Sequence, residues 1–203
     1  MNIIQRPEVF EKYHNGFERT RSIRIVVIHG TEGGASSHEL IDGWILKDTF
    51  ERAKAYRNGE GFNYNIDYDG TINQFTDPAL WWHYHSSTWR GLQDRQNEYD
   101  AYTVGIELMN PARWNDPLGP NGAPYTGPQY ESLFELLMAK LLPENPELCT
   151  ISGHGVIQRK YIGKYKRCPG PGFNWDALAT ALRMNHYQCD TGDECIMNIV
   201  RPV

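Results

Sequence analysis

The chain has 203 residues, a formal net charge of -5 and a pI near 5.8, and its length suits one domain with a substantial core. The acidic balance argues against a nucleic-acid-binding protein that relies on a broad basic surface. No apolar run approaches the roughly 18 residues needed for a membrane span, and the N-terminus lacks the apolar core of a signal peptide. We therefore expect a protein made and kept in the cytoplasm, unless another route releases it.

The first predicted element is a buried strand near the N-terminus. Residues 1–22 are polar and mixed, and we expect a lead-in that packs over an edge of the domain. The segment Ile23–Ile28 is β-branched and almost entirely apolar, which is typical of a central strand. His29 ends this strand beside a glycine-rich loop, where it can either reach a cleft or lie hydrogen-bonded in the core.

A helix and a hairpin are predicted next. Ser36 and Glu39 can form a capping box, and the apolar residues that follow give the helix one apolar face. Residues 62–75 then alternate between polar and apolar side chains around Asp69-Gly70, which is a strong signal for a β-hairpin.

Residues 81–91 crowd two histidines and three tryptophans into eleven positions. Packing of aromatic side chains in the core explains most of such a segment. The density of histidine and tryptophan outside any periodic pattern is also typical of a rim that binds sugar or peptide. Both interpretations stay open from the residues alone.

Glu107 lies inside another predicted buried strand, Tyr102–Leu108. A carboxylate in an apolar strand is costly unless it is paired, bound to a metal or functional. The alternative is an edge strand that leaves the side chain at the surface. A long loop rich in Pro, Gly and Asn follows over residues 110–128.

Two further helices complete the predicted fold. Thr126 and Gln129 can cap the first helix, and Asn174 can cap the last. Their apolar stripes consist of Tyr130, Leu133, Phe134, Leu137, Met138 and Leu141, and of Trp175, Leu178, Ala179 and Leu182. The order strand, helix, hairpin, strand, helix, strand, helix predicts a single α/β domain, in which helices flank a mixed central β-sheet.

His154 and Cys168 stand fourteen positions apart, and Lys166 precedes the cysteine by two. A thiol beside a lysine ammonium and near a divalent metal ionises readily, and imidazole with thiolate suits zinc. His29, His154 and Cys168 all follow or end buried segments, where open α/β sheets gather their sites. Three protein ligands would leave the fourth tetrahedral position open, as in a catalytic zinc site.

The other cysteines do not form a recognisable disulfide framework in a chain of this length. Cys149 is predicted to be a buried strand thiol. Cys189 and Cys195 flank an acidic loop, and they can either close a small disulfide or remain free thiols.

Taken together, six segments in this order resemble the zinc-dependent N-acetylmuramoyl-L-alanine amidases. That family includes phage amidase lysins, bacterial recycling amidases and peptidoglycan recognition proteins. The resemblance covers roughly residues 23–184, and it leaves residues 1–22 as the lead-in and 185–203 as a C-terminal tail. The segments are V-V-I-H-G-T, G-F-N-Y-N-I-D-Y-D-G-T-I, the W-H segment, V-G-I-E-L, I-S-G-H and K-R-C-P-G-P-G-F-N-W.

The resemblance implies a role for each matching position. The metal ligands fall on His29, His154 and Cys168, with one zinc ion per chain. Lys166 matches the cation that stabilises the oxyanion, and Glu107 matches the proposed general base.

The positions implied to contact substrate are less uniform across the family. His83 in the W-H segment is implied to touch substrate, and we expect the same of Trp89. Some members carry a catalytic tyrosine where this chain has Phe62, so a tyrosine-based scheme is in doubt and Phe62 becomes an apolar contact. Tyr64 is a substitute only if the register differs.

The implied function is hydrolysis of the amide between N-acetylmuramic acid and L-alanine. The implied partner is peptidoglycan or its muropeptides. We also expect a monomer that binds no nucleic acid. We expect a phage-type endolysin that acts on the cell wall. A cytosolic enzyme that recycles muropeptides, and a protein that binds peptidoglycan without cutting it, are the alternatives; retention of Cys168 favours an enzyme. A lysin that also binds a cytoplasmic partner through residues 1–22 is a further, weaker alternative.

Overall fold

The computed structural model describes residues 1–7, 17–31, 61–83, 85, 100–110, 124–162, 168–170, 172–190 and 196–201. The predicted helix after Ser36, residues 111–123 of the predicted loop 110–128, and the side chains of Trp89, Lys166 and Cys195 lie outside these residues. No helix within the described part of the chain is long and apolar enough to cross a membrane.

A mixed sheet dominates the described residues, and this confirms the predicted fold class. Eight of the strands found there form one sheet in the order β1-β5-β4-β7-β3-β8-β10-β9, while β2 and β6 pair separately. The strands are β1 Ile3–Gln5, β2 Phe17–Glu18, β3 Ile25–Gly30, β4 Tyr64–Ile66, β5 Ile72–Gln74, β6 Trp81–Trp82, β7 Thr103–Leu108, β8 Thr150–Gly153, β9 Gln188–Asp190 and β10 Ile196–Val200.

Strand β3 lies at the centre of the sheet, as its apolar composition predicts. It is parallel to β7 on one side and to β8 on the other. Val26, Val27 and Ile28 are fully buried. Since parallel strands end at the same edge of a sheet, the carboxyl ends of β3, β7 and β8 lie together.

The predicted hairpin is confirmed by the antiparallel pairing of β4 with β5. Its turn places Gly70 at a φ of +91°, a backbone conformation that residues with a side chain rarely adopt. The Asp69 carboxylate accepts a hydrogen bond from the Thr71 amide at 2.9 Å, and this side-chain contact stabilises the turn.

The first and the last of the described helices cover the apolar face of the sheet. Helix α1 is Gly127–Leu136 and continues through a π-helical turn, Leu137–Leu141, and a last turn, Leu142–Glu144. Helix α2 is His154–Ile162 and helix α3 is Trp175–Met184. The predicted stripes of α1 and α3 lie in or against the hydrophobic core.

Both chain ends add strands beyond the elements predicted from the pattern. Strand β1 of the lead-in pairs with β5, and β10 and β9 extend the sheet beyond β8. Arg19 of the lead-in donates to the carbonyl oxygen of Thr103 at 2.7 Å. Burial lowers the pKa of Arg19 to about 10, and the nearby Asp100 carboxylate partly offsets this.

The prediction of a buried thiol at Cys149 is wrong. Its side chain is exposed, because β8 begins one residue later at Thr150. The backbone of Cys149 is hydrogen-bonded to the segment before β3, since its amide donates to the Arg24 carbonyl at 3.0 Å. Cys189 is a half-buried free thiol.

We expect Thr126→Ala to destabilise the fold by roughly 1 kcal/mol, the usual cost of losing a helix cap. The Thr126 hydroxyl accepts from the Gln129 amide at 3.2 Å, and the Gln129 side chain accepts from the Thr126 amide at 3.1 Å. Urea unfolding monitored by circular dichroism measures the change. Thr180→Ala, on the exposed surface of α3, is the matched control and should be neutral or slightly stabilising. An equal effect of both substitutions would contradict the assignment of this cap.

Candidate active site

Three ligand-type side chains meet at the carboxyl edge of the central strands. His29 lies near the end of β3, His154 begins α2 directly after β8, and Cys168 follows on the chain segment that returns to this edge. One nitrogen of each imidazole and the Cys168 Sγ all lie within 4.8 Å of one another. All three residues are buried.

Two backbone amides, one from each histidine-bearing segment, donate hydrogen bonds to Cys168. The Gly30 amide donates to the Cys168 Sγ at 3.4 Å, and the Gly155 amide donates to the Cys168 carbonyl oxygen at 2.8 Å. An amide directed at sulfur favours the thiolate over the thiol. The position of the thiol therefore depends on the residue after His29 and on the residue after His154.

Small residues make this approach possible. A Cβ atom on Gly153 would lie 2.9 Å from Pro169 Cδ and 3.1 Å from the Cys168 carbonyl oxygen. A Cβ atom on Gly30 would lie 2.1 Å from the Tyr125 hydroxyl oxygen, which itself donates to the Pro169 carbonyl at 2.9 Å. Close packing of backbone on backbone thus brings the cysteine to the sheet edge.

His29 contacts a different group through each ring nitrogen. Its Nε2 lies 3.0 Å from Nδ1 of His85, and its Nδ1 lies 4.0 Å from Oε2 of Glu107. Burial lowers the pKa of His85 to about 3, so this imidazole is neutral. Sequence reasoning assigned no role to His85, although the density of histidines in residues 81–91 was a signal that pointed to the segment.

Glu107 lies in the centre of the sheet, and the edge-strand alternative is wrong. It pairs in register with His29 across β7 and β3, so the two side chains share one face of the sheet. Its carboxylate is nearly buried, with 8 % of the residue exposed. A carboxylate held beside an imidazole in a buried position can accept and return a proton.

Tyr64 lies on the other face of the sheet. It pairs in register with Ile106 in β7, and its ring belongs to the hydrophobic core. Burial raises the pKa of its hydroxyl far above the ordinary value. This placement removes Tyr64 as a substitute for the tyrosine that the resemblance places at Phe62.

The predicted substrate contacts are only partly described. Phe62 is buried and packs edge-on against Phe75, with ring centroids 5.3 Å apart. His83 is buried, and its Nε2 lies 2.8 Å from the Thr76 hydroxyl. Trp89 and Lys166 lie outside the described residues, so their roles stay predictions.

Comparison with known sequences identifies the family of this chain. The sequence model of the N-acetylmuramoyl-L-alanine amidase family matches residues 19–171. The chain belongs to this amidase family. The match spans the strands that carry His29 and Glu107 and extends past Cys168, and it confirms the resemblance inferred from the motifs. No sequence relative is found among curated proteins.

Solved structures share the amidase fold. A derivative of AmpD is 20 % identical with a TM-score of 0.58, and the alignment covers 88 % of this chain and 93 % of that one. The endolysin N-acetylmuramoyl-L-alanine amidase LysCS from Clostridium intestinale is 16 % identical with a TM-score of 0.55, over 90 % and 95 %. Human PGRP-IBETAC in complex with glycosamyl muramyl pentapeptide is 17 % identical with a TM-score of 0.55, over 88 % and 94 %. At these identities the likeness shows the fold alone.

The residues of this amidase-family site fit a zinc ion by their chemistry. Zinc binds imidazole nitrogen at about 2.0–2.1 Å and thiolate sulfur at about 2.3 Å, so its ligand atoms lie about 3.3–3.6 Å apart in a tetrahedral site. The three ligand atoms here lie within 4.8 Å of one another, so small side-chain movements would bring them to these distances. Two imidazoles and one thiolate suit zinc better than calcium or magnesium, which prefer oxygen ligands.

We expect Cys168→Ser to lose most of the zinc and nearly all activity, because a serine hydroxyl is a poor substitute for a thiolate ligand. Metal content after dialysis, measured by mass spectrometry, is the direct readout. Folding should survive, since the core lies on the other face of the sheet and does not require the metal. Cys149→Ser is the matched control, because that thiol is exposed and lies before the start of β8, whereas His154 follows the end of β8. Full zinc occupancy in Cys168→Ser would refute the assignment of this ligand.

Proposed function

We propose that this protein is a zinc-dependent N-acetylmuramoyl-L-alanine amidase that cleaves peptidoglycan in the manner of a phage endolysin. The observation that carries the proposal is the buried cluster of His29, His154 and Cys168, with the Glu107 carboxylate 4.0 Å from the His29 ring. The family match and the shared fold support a peptidoglycan amidase or a peptidoglycan-binding protein. The cluster of His29, His154 and Cys168 and the neighbouring Glu107 carboxylate support an enzyme rather than a protein that only binds peptidoglycan.

The three ligands would hold one zinc ion at the edge of the sheet. A zinc ion with three protein ligands lowers the pKa of a bound water toward about 7 and polarises a carbonyl oxygen. The protein supplies the Cys168 sulfur, which accepts a hydrogen bond from the Gly30 amide, and the His29 imidazole, which lies against His85.

Glu107 is the proposed general base. Its carboxylate takes a proton from the water that attacks the amide carbonyl, and it returns that proton to the nitrogen of L-alanine as the carbon–nitrogen bond breaks. Its register position opposite His29 keeps it on the face of the sheet where the three ligand atoms meet.

Lys166 is proposed to stabilise the negative charge that develops on the carbonyl oxygen. A donor of this kind contributes about 3 to 4 kcal/mol to the transition state in comparable sites. The resemblance also implies that His83 contacts the glycan or its peptide, and we expect the same of Trp89.

We expect Glu107→Gln to fold and to keep its zinc, but to lose activity by a factor of roughly 100 to 10,000, the usual range for a lost general base. The amide side chain has almost the same shape but cannot take up a proton at neutral pH. The readout is the initial rate at which L-alanine amino termini appear in purified peptidoglycan. Glu131→Gln, on the exposed face of α1, is the control and should match the native protein. A native rate in Glu107→Gln would assign the base to another residue.

We expect Phe62→Tyr to be neutral or slower. If Glu107 supplies acid–base catalysis, a hydroxyl at this buried ring gains nothing and costs about 1 to 3 kcal/mol when it lacks a partner. The measurement compares initial rates on purified sacculi at equal zinc content. A clear gain in rate would mean that a tyrosine hydroxyl completes the acid–base machinery, and that Glu107 alone does not account for it.

The substrate is tested by two assays run in parallel. An endolysin should release L-alanine amino termini from intact sacculi, whereas a recycling enzyme should act only on small anhydro-muropeptides. A binding protein should sediment together with sacculi without cleaving them, with or without added zinc. Activity confined to anhydro-muropeptides would refute the endolysin proposal and leave the amidase assignment intact.

A further inference from the structure

We propose that His85 is a positioning residue, which holds the His29 imidazole in the tautomer and ring orientation that a metal ligand requires. The inference deepens the proposed function and rests on its zinc site. It assigns a task to a histidine in a segment whose aromatic density has two competing explanations, core packing and substrate binding.

A chain of hydrogen bonds runs from His29 through His85 and Thr103 to the backbone of Asp100. His29 Nε2 lies 3.0 Å from His85 Nδ1, and His85 Nε2 lies 2.8 Å from the Thr103 hydroxyl oxygen. That hydroxyl lies 3.0 Å from the carbonyl oxygen of Asp100. All four residues are buried, so bulk water does not compete for these contacts.

The donors and acceptors in this line fix where each proton lies. The carbonyl oxygen of Asp100 can only accept a hydrogen bond, so the Thr103 hydroxyl donates its single hydrogen to that oxygen. The Thr103 oxygen must then accept from His85, which places the His85 hydrogen on Nε2. His85 Nδ1 therefore accepts from His29 Nε2–H, and the lone pair of His29 remains on Nδ1, the nitrogen nearer Glu107.

A carboxylate reinforces the same arrangement. Asp100 Oδ1 lies 4.0 Å from His85 Nε2, and the side chain of Asp100 is fully buried. A negative charge at this distance favours a hydrogen on Nε2 of His85 over one on its Nδ1. The Glu107 carboxylate lies equally far from His29 Nδ1 and favours a hydrogen there, so the shorter contact of His29 Nε2 with His85 Nδ1, at 3.0 Å, decides the tautomer of His29. Outer partners of this kind commonly fix the tautomer and orientation of metal-binding histidines.

The space for His85 depends on a residue without a side chain. A Cβ atom on Gly105 would lie 2.9 Å from His85 Cγ and 3.1 Å from its Nδ1 and Cδ2 atoms. Gly105 pairs in register with Val27, two residues before His29, so the His85 ring lies against β7 beside the ligand. A buried histidine that only filled space would not need its Nδ1 directed at a ligand of the cluster.

The tautomer is measured directly in the metal-free protein. Long-range ¹H–¹⁵N correlation spectra of labelled protein distinguish Nε2–H from Nδ1–H in each imidazole, and single substitutions assign the signals. We expect the Nε2–H form at both His29 and His85, and the His29 form should become mixed in His85→Leu. A His29 that carries its hydrogen on Nδ1 in the native protein would overturn the proposal, whatever the protein does to peptidoglycan.

Metal affinity provides the second test. Competition with a chromophoric chelator should show that His85→Leu binds zinc about 10- to 100-fold more weakly, the usual effect of losing such an outer partner. His85→Asn should recover most of the affinity, because its amide oxygen can occupy the place of Nδ1 and accept from His29. Equal losses in His85→Asn and His85→Leu would assign His85 a purely structural role and overturn the proposal.

Two threonines form a matched pair if a substitution at His85 prevents folding. Thr103 and Thr76 are both buried, and each hydroxyl lies 2.8 Å from Nε2 of a histidine. Thr103→Val should weaken zinc binding several-fold, because it frees the tautomer of His85. Thr76→Val removes the hydroxyl contacts of His83 and Asn63 rather than that of His85, and should leave zinc affinity unchanged. Equal zinc affinity in both variants would overturn the proposal, and a native protein that binds no zinc would overturn the proposed function as well.

Discussion

The parallel pairing of β3 with β7 and β8 is the constraint on which the site depends. It sets the carboxyl ends of three buried strands side by side, with His29 opposite Glu107 and His154 directly after β8. Backbone hydrogen bonds in a sheet fix this register to within one residue, and a slip by one would turn the side chains to the opposite face. The apolar core on the other face holds the register, so the stability of the core and the geometry of the site depend on the same strands.

Close approach of the backbone to its neighbours is the second requirement. Gly153 lets the Cys168-Pro169 segment lie against the end of β8, and Gly105 lets the His85 ring lie against β7. Each glycine sits in a strand, where the lack of a side chain weakens the strand by about 0.5 to 1 kcal/mol relative to alanine. The missing side chain at these two positions leaves the space in which the Cys168 segment and the His85 ring lie.

The sequence predicts the buried strands and the capped helices well, because both depend on local patterns. His29 and Glu107 could be selected on physical grounds, since each interrupts or ends an apolar strand. The neighbours of a strand in the sheet are not written in its periodicity, and so β1 and the pair β9 and β10 could not be placed. The contact between His85 and His29 was equally out of reach, because it joins residues 56 positions apart in a segment without periodicity.

X-ray absorption spectroscopy of the zinc-loaded protein tests the central claim most directly, because it counts the atoms bound to the metal without reference to activity. The site described here predicts one sulfur at about 2.3 Å and two imidazole nitrogens at about 2.0–2.1 Å, with a light atom from solvent in the fourth position. The sulfur contribution should vanish in Cys168→Ser and persist in Cys149→Ser. A first shell without sulfur, or one with two or more sulfur atoms, would contradict a metal centre built from His29, His154 and Cys168.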